Sequence, residues 1–458
     1  MNRLLSYSAC VALAILATMI IGCSGALSPL SVKIQSAEIA LEKANGFRIQ
    51  SDDPKERKKE KAKREKLYDR AMKNYNTIIE RSPDGKYAQR AHSGLAAIHQ
   101  RHGRWDEATT HYQAIVDLSP TGYLGGKARS GIADIRKNRQ IIRNDLRVYR
   151  NRLETEDSQN KAAEALINVA KAYESLANYG ETIRYYEKMA DEFPNHKKAP
   201  QSQYNVGRIY FYELYDYSNS GGWGAYNKVI ENFPEAFEAS QAATLLKETK
   251  EILNEISFDQ DDILKYTSKK AIEYENAGRV ILASERYLMG QADRIVQDFQ
   301  SIARGWEKLR NYPYALASYR KLAENLSYKK FASADARYQI GRLYQQDGQY
   351  QRAIEAYDDL FENSPESTWR NEAVYQQAVC FRAIREFSLA HRAFKAYMSI
   401  NKGPTPYSRE AEQIVRQMEL DTDGDGHMLY KEQEAGTSDQ DPNDYPGATM
   451  TETLGDVQ

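Results

Sequence analysis

The residues best suited to chemistry stand near the end of the chain. Residues 421 to 432 read DTDGDGHMLYKE. Asp421, Asp423 and Asp425 take positions 1, 3 and 5 of a twelve-residue loop, Gly426 takes the sharp turn at position 6, and Glu432 stands at position 12. Three carboxylates at alternate positions, the backbone carbonyl of His427 and a two-oxygen glutamate make the ligand set of a hard cation, which takes about 6–8 oxygens. Calcium suits that set; magnesium demands a tighter octahedron. One calcium ion is expected, with a solvated acidic turn as the other reading. Leu429 replaces the usual water-bridging residue at position 9, and only one such loop is visible.

The loop resembles an EF-hand. Its lead-in, SREAEQIVRQMEL, reads as an amphipathic helix, and EAGTSDQDPND resembles the ends of bacterial calcium modules related to dockerin and thrombospondin type 3 repeats. The resemblance implies an EF-hand-like segment over 404–446, with a disordered tail at 447–458. The other end of the chain bears on its purpose. LLSYSACVALAILATMII is an apolar run too short to span a bilayer, and it stops at IIGCSG. Ile20, Ile21, Gly22 and Cys23 resemble a bacterial lipoprotein box, which implies a signal peptide over 1–22 and a lipid on the Cys23 sulfur. An ordinary signal peptide or an anchor helix is the alternative. Several acyl chains, at about 0.8 kcal/mol per buried CH₂, would hold the protein durably on a bilayer. Ser24, in the families this resembles, favours the periplasmic side of the outer membrane. An exported protein meets calcium at up to about millimolar levels, so even a weak site is filled and a structural clamp makes more sense than a switch.

Composition fits a polar body on a tether. The 63 Lys+Arg nearly balance 64 Asp+Glu, which gives no bias toward nucleic acid. After the signal no apolar run is long enough to cross a bilayer. Cys380, in AVYQQAVCF, reads as a buried inert thiol, and no disulfide framework is available.

The elements that position these residues are helices in a repeat. In ADARYQIGRLYQQDGQYQRAIEAYDDLFENSP, Ile340, Gly341 and Tyr344 share one helical face, Gly348 and Tyr350 mark a turn, Ala353, Tyr357 and Leu360 share a second face, and Pro365 ends the unit. This spacing matches the tetratricopeptide repeat, whose small residues let two helices approach closely. Leu95, Ala96, Trp105, Ala108 and Tyr112 fit the same grid, as do Val169, Ala170, Tyr173, Tyr179 and Tyr186. Val206, Gly207, Tyr226 and Val229 fit around three extra residues in YDYSNSGGWG; Ile302, Ala303, Ala315 and Tyr319 fit, and so do Ala378, Phe381, Phe387, Ala390 and Phe394. Units recur every 37 or 38 residues, with the extra residues after the proline. That resembles periplasmic tetratricopeptide lipoproteins, such as the lipoprotein of the outer-membrane barrel-assembly machinery and the division coordinator linked to the Tol system. The resemblance covers roughly residues 62 to 403; the greater length and the acidic loop depart from the barrel-assembly lipoprotein.

The expected fold class is therefore all-α, a tetratricopeptide-repeat solenoid of helix pairs with a small EF-hand-like end. The expected layout is a lipid-anchored tether at 23–50, a first repeat block at 51–240, a helical connector or degenerate repeats at 241–300 and a second block at 301–403. Tyr68, Ala71, Tyr75 and Pro83 mark a half-degraded first unit whose first helix is the lysine-rich PKERKKEKAKREK. That helix reads as a solvated cap, or alternatively as a basic collar touching lipid headgroups. Residues 121–157 keep the period without the signature.

In a tetratricopeptide array the first helices line a groove, and the residue after the small signature position faces it. That residue is Lys171, Arg208, Arg304 and Arg342, a stripe suited to acidic or extended peptide segments. Asn168, Tyr204, Asn205 and Tyr375 are the neighbouring positions expected to hydrogen-bond an extended backbone. No nucleophile elbow, phosphate loop or zinc-binding His-Glu helix is found. His99, His102 and His111 are expected on different faces of a helix pair, as surface or interface residues. The expected function is a non-enzymatic, outer-membrane-anchored scaffold for envelope proteins. The alternatives are a coordinator of peptidoglycan or polysaccharide export machinery, and an enzyme or enzyme subunit with its site in 241–300.

Overall fold

Apolar residues at helical spacing build paired helices throughout a computed structural model of the chain. The backbone is described over 29–275 except 86, over 280–325, and over 329–446 except 402, 404, 442, 443 and 445. Side chains are described over the same residues except 29, 258–259, 261–292 and 325. The signal peptide, Cys23 and the tail at 447–458 lie outside the described residues. Two compact units are present, Met1–Pro120 with Leu124–Ala239 and Thr121–Tyr123 with Ser240–Gln458.

The first unit runs α1 (Pro29–Asn45), α2 (Pro54–Arg81), α3 (Ala88–Arg101), α4 (Trp105–Leu118), α5 (Tyr123–Arg150), α6 (Glu156–Ser175), α7 (Tyr179–Glu192), α8 (Ala199–Tyr212) and α9 (Gly222–Asn232). The second runs α10 (Phe237–Glu275), α11 (Val280–Lys308), α12 (Tyr312–Asn325), α13 (Lys330–Gln346), α14 (Tyr350–Asn363), α15 (Arg370–Ala383), α16 (Phe387–Ile400), α17 (Ser408–Met418) and α18 (Leu429–Ala435). The pair α13–α14 shows how sequence sets the packing. Ala353, Tyr357 and Leu360, at i, i+4 and i+7 of α14, are fully buried. Gly341 gives the Tyr357 ring its place, for a Cβ there would stand 2.4 Å from the ring. Gly207 does the same for Tyr226, with the ring 2.7 Å from where a Cβ would be.

One turn geometry recurs within the pairs. Gly103, Ala177, Arg310, Gly348 and Arg385 all have positive φ, between 54° and 72°. Each precedes by two residues the aromatic that opens the second helix. The next amide donates back to the last turn of the first helix, as Gln349 to the Tyr344 carbonyl at 2.9 Å and Glu386 to that of Phe381 at 2.9 Å. This i to i+5 bond satisfies a carbonyl the helix leaves open and stops the helix at once.

Three expectations change. Residues 29–45 are not a tether: α1 packs on α2, burying Ile34, Ala37, Ala40 and Ala44 among Tyr68, Ala71 and Tyr75. Residues 54–66 are not a separate first helix, because α2 runs unbroken through Tyr68 to Arg81; α1 supplies the pairing helix. Residues 121–157 hold one long helix, α5, whose Ile135 and Ile142 face Val169, Ala172 and Leu176.

The lysine-rich stretch keeps Lys55, Lys58 and Lys59 exposed, yet Arg57 turns inward. Its guanidinium meets Asp216 at 2.7 Å, with side chains 12% and 2% exposed. The extra residues after α8 thus have a role. Ser220 N–H and Asn219 Nδ2 donate to Asp52 at 2.8 and 2.9 Å, Ile49 pairs with Asp216 in a parallel β-bridge, and Arg48 lies over the Tyr217 ring. This strap ties the start of α2 to the end of α8.

Candidate partner groove and calcium centre

The predicted groove residues divide between the two units. In the first, Asn168 and Lys171 are exposed on α6. Asn168 lines an open cleft of about 650 Å³ with Asp145, Asn160, Lys161, Glu164, Asn195 and Lys197. Tyr204 is half-buried edge-to-face on Tyr226, and Asn205 accepts from Gln201. Arg208 is not a free groove cation. It is ion-paired with Glu174 of α6, the helix one unit earlier, and the Tyr186 hydroxyl donates to the same carboxylate at 3.2 Å. The second unit repeats the device: Arg342 is ion-paired with Glu307, and Tyr319 donates to Glu307 at 2.7 Å. Each arginine stitches its helix pair to the pair before it within one unit, so its charge is spent internally. Arg304 is exposed, with no ion pair among the described residues. Tyr375 is buried and stacks on Tyr407 at 4.3 Å, because α17 covers it. It cannot reach a partner's backbone.

The acidic loop follows α17, whose Ala411, Ile414, Val415 and Met418 pack on Tyr375, Phe394 and Tyr397 at the end of the second unit. Asp421 Oδ1 and Oδ2 accept from the amides of Gly424 and Gly426, at 2.9 and 3.1 Å. Gly424 and Gly426 have φ of 76° and 90°, the left-handed turn that glycine adopts without strain. Asp425 accepts from the His427 amide at 2.7 Å. The three aspartates offer oxygens within 4.8 Å of one another. The Leu429 amide closes the loop onto the Leu420 carbonyl at 2.7 Å.

Glu432 is the decisive residue. It is fully buried, and both carboxylate oxygens lack a hydrogen-bond partner, as do Oδ2 of Asp423 and of Asp425. Burial first, then the neighbouring carboxylates of Asp439, Asp423 and Asp425, push the Glu432 carboxyl up to about 7. Orphaned buried carboxylate oxygens are costly unless a cation completes them. The donor set is all oxygen and fits calcium: Asp421, Asp423, Asp425 and Glu432 would hold it, with the His427 carbonyl. Asp439 joins this cluster and was missed in the sequence, because it stands outside the twelve-residue frame. Its proximity comes from Thr422, whose amide and hydroxyl both donate to it and hold its carboxyl below the usual range. Behind the loop, Tyr430 stacks on His391 at 4.5 Å and Ser388 donates to Glu434, which seat α18 on α16.

Residues 335–367 match the family described as Tetratricopeptide repeat. That match falls on α13 and α14. The fold is all-α, an array of helix pairs, and the pair α13–α14 is a tetratricopeptide repeat. Solved structures similar to the chain include "Crystal Structure of P58(IPK) TPR Domain" (10% identity, 78% of this chain and 86% of that one, TM-score 0.22). Another is "Structure of Naa15/Naa10 bound to HypK-THB" (12% identity, 82% and 56%, TM-score 0.23). A third is yeast Tom70 (16% identity, 88% and 92%, TM-score 0.21). No curated protein matches the chain.

One expectation about the histidines is overturned. His99 and His111 do not lie on different faces: their rings stack at 5.3 Å across the α3–α4 pair. His92 joins them, its Nδ1 2.9 Å from that of His111. Only His102 stands apart, paired with Glu65 at 2.9 Å. Cys380 is fully buried, and burial raises its thiol to about 12.

Proposed function

We propose that this protein is a scaffold that binds extended segments of envelope proteins in the cleft of its first unit, at the periplasmic face of the outer membrane. The observation that carries the binding reading is the cleft itself. Asn160, Asn168 and Asn195 offer donors and acceptors for a peptide backbone, while Lys197, with Lys171 on α6, favours a carboxylate-bearing partner; Lys161 is ion-paired with Asp157. The location rests on the lipoprotein box at Cys23. A calcium ion between Asp421, Asp423, Asp425, Glu432 and Asp439 would pin α18, and with it the end of the array.

Crosslinking from membranes tests the reading. The intact chain should capture envelope proteins, and Asn168→Ala with Lys171→Glu should reduce the capture several-fold at low salt, where surface charges act most strongly. Capture of barrel-assembly components points to outer-membrane protein assembly, and capture of cell-wall synthases to the coordinator role. An unchanged pattern in the double variant removes the cleft from the proposal. Cys23→Ser should release the protein from membranes; a variant that still sediments after a salt wash removes the lipid.

A further inference from the structure

The histidines of the first unit stand where the neighbouring pair carries tyrosines. His99, on α3, and His111, on α4, are twelve residues apart and stack at 5.3 Å and 19°. Tyr173 and Tyr185, also twelve apart, stack in the same way on α6 and α7, at 5.4 Å and 7°. The packing slot is therefore a general one that holds aromatic rings. What is particular to α3 and α4 is that both rings are imidazoles and that a third, His92, two turns before His99 on the same helix, reaches the same place. The His92 and His111 rings have centroids 5.2 Å apart.

Their nitrogens are not satisfied as three separate side chains would be. Nδ1 of His92 and Nδ1 of His111 are 2.9 Å apart, so the two share a single proton at that contact. Nδ1 of His99 is buried and has no hydrogen-bond partner. All three imidazoles are held below their ordinary value, first by burial, and His111 falls to about 4. Neutral imidazole is the form that binds metals. The charged groups that act on His99 are Arg104, Glu107 and His102, and among the described residues no carboxylate is hydrogen-bonded to any of the three rings.

We propose that His92, His99 and His111 form a binding site for a divalent transition cation of the imidazole-preferring class, zinc or copper. Two nitrogens bound at about 2.0–2.1 Å to one tetrahedral ion stand about 3.3–3.4 Å apart. The His92–His111 contact, at 2.9 Å, opens by about 0.4–0.5 Å when an ion replaces the shared proton. Binding requires both rings to carry their remaining proton on Nε2, so that both Nδ1 lone pairs face the ion. This is a change of tautomer that releases no proton. His99 supplies the third nitrogen after its side chain turns out of the stack, and water completes the shell. The site differs from the acidic loop in unit, in ligand and in metal, since nitrogen donors select against calcium.

The full chain, stripped by chelator and supplied with excess calcium to fill the acidic loop, should bind one zinc ion by calorimetry. Copper(II) in the same protein should show coupling to imidazole nitrogen in its electron paramagnetic spectrum. His99→Tyr with His111→Tyr copies the ring pair that folds on α6 and α7, so it should keep the helical spectrum and lose the site. His92→Gln should weaken it independently. Changes outside the ligand shell alone cost about 10–100-fold in affinity, so either variant should lose at least about 100-fold. His102→Gln should bind as the parent does. Zinc affinity equal in the parent and in both variants overturns the proposal, and so does copper without nitrogen coupling in the parent. In either case the trio is only a packed and hydrogen-bonded ring cluster.

Discussion

Gly341→Ala is the sharpest perturbation of the array, because two known effects oppose each other and the structure decides the sign. In an open helix, Gly to Ala stabilises by about 1 kcal/mol. Here the added Cβ would lie 2.4, 2.7 and 2.8 Å from Cε1, Cδ1 and Cζ of Tyr357. Carbon atoms prefer about 3.5–4.0 Å, so the ring must withdraw by about 1 Å. Tyr357 has no room to do so. It is 0% exposed, and its hydroxyl donates to Gln345 at 3.0 Å, whose amide in turn donates to Gln376 of α15 at 2.9 Å. Overpacking of this kind costs about 1–3 kcal/mol, and weakening the hydroxyl bond adds about 1 kcal/mol. After the helix gain is subtracted, the variant should be destabilised by about 1–3 kcal/mol. Urea unfolding measures this, and Tyr357→Leu in a double-mutant cycle isolates the contact. The pair should couple by about 1–2 kcal/mol, with the double variant less damaged than the sum of the singles. Hydrogen exchange should rise mainly in α13, α14 and their neighbours, since repeat arrays couple to adjacent units. A stabilised Gly341→Ala, or an additive cycle, would refute the packing argument.

The turns, the loop and the thiol give further tests. Ala177→Gly should stabilise by about 1 kcal/mol in thermal or urea unfolding, because Ala177 sits at φ 54° and a left-handed residue with a Cβ costs about 1–2 kcal/mol. Glu432→Gln or Asp421→Ala should abolish calcium-dependent protection of residues 419 to 436 from proteolysis, while the helices before residue 400 are unaffected. Identical digestion in calcium and in chelator for the parent would remove the calcium site. Cys380 should resist alkylation at pH 9 in the native state and react once unfolded. Its folded value of about 12 lies above the unfolded value of 9.0. Its contribution to stability is therefore complete below pH 9 and is lost as pH climbs toward 12, which unfolding curves in this range should register.

The local features of the fold were legible in the sequence because helical periodicity is a local quantity. Gly341, Tyr344, Ala353 and Tyr357 announce which faces meet inside one pair, and the alternating aspartates with Gly426 announce a tight acidic loop, since the residues of each feature are close in sequence. Residues 29–45 carry a readable stripe too, at Ile34, Ala37, Ala40 and Ala44, but only its docking against Tyr68, Ala71 and Tyr75 makes it part of the array. The tertiary structure alone decided the rest. Arg208 and Arg342 look like groove cations until the packing of consecutive helix pairs brings Glu174 and Glu307, 34 and 35 residues earlier, against them. Tyr375 looks like a groove residue until α17 covers it. His92, His99 and His111 are scattered along the chain, and only the antiparallel crossing of α3 and α4 makes them one cluster. The single-helix pattern tells which residues share a face. Which charges meet, and which carboxylate of the loop is sealed from water without a partner, depends on how separate helices stack, and no local period encodes that.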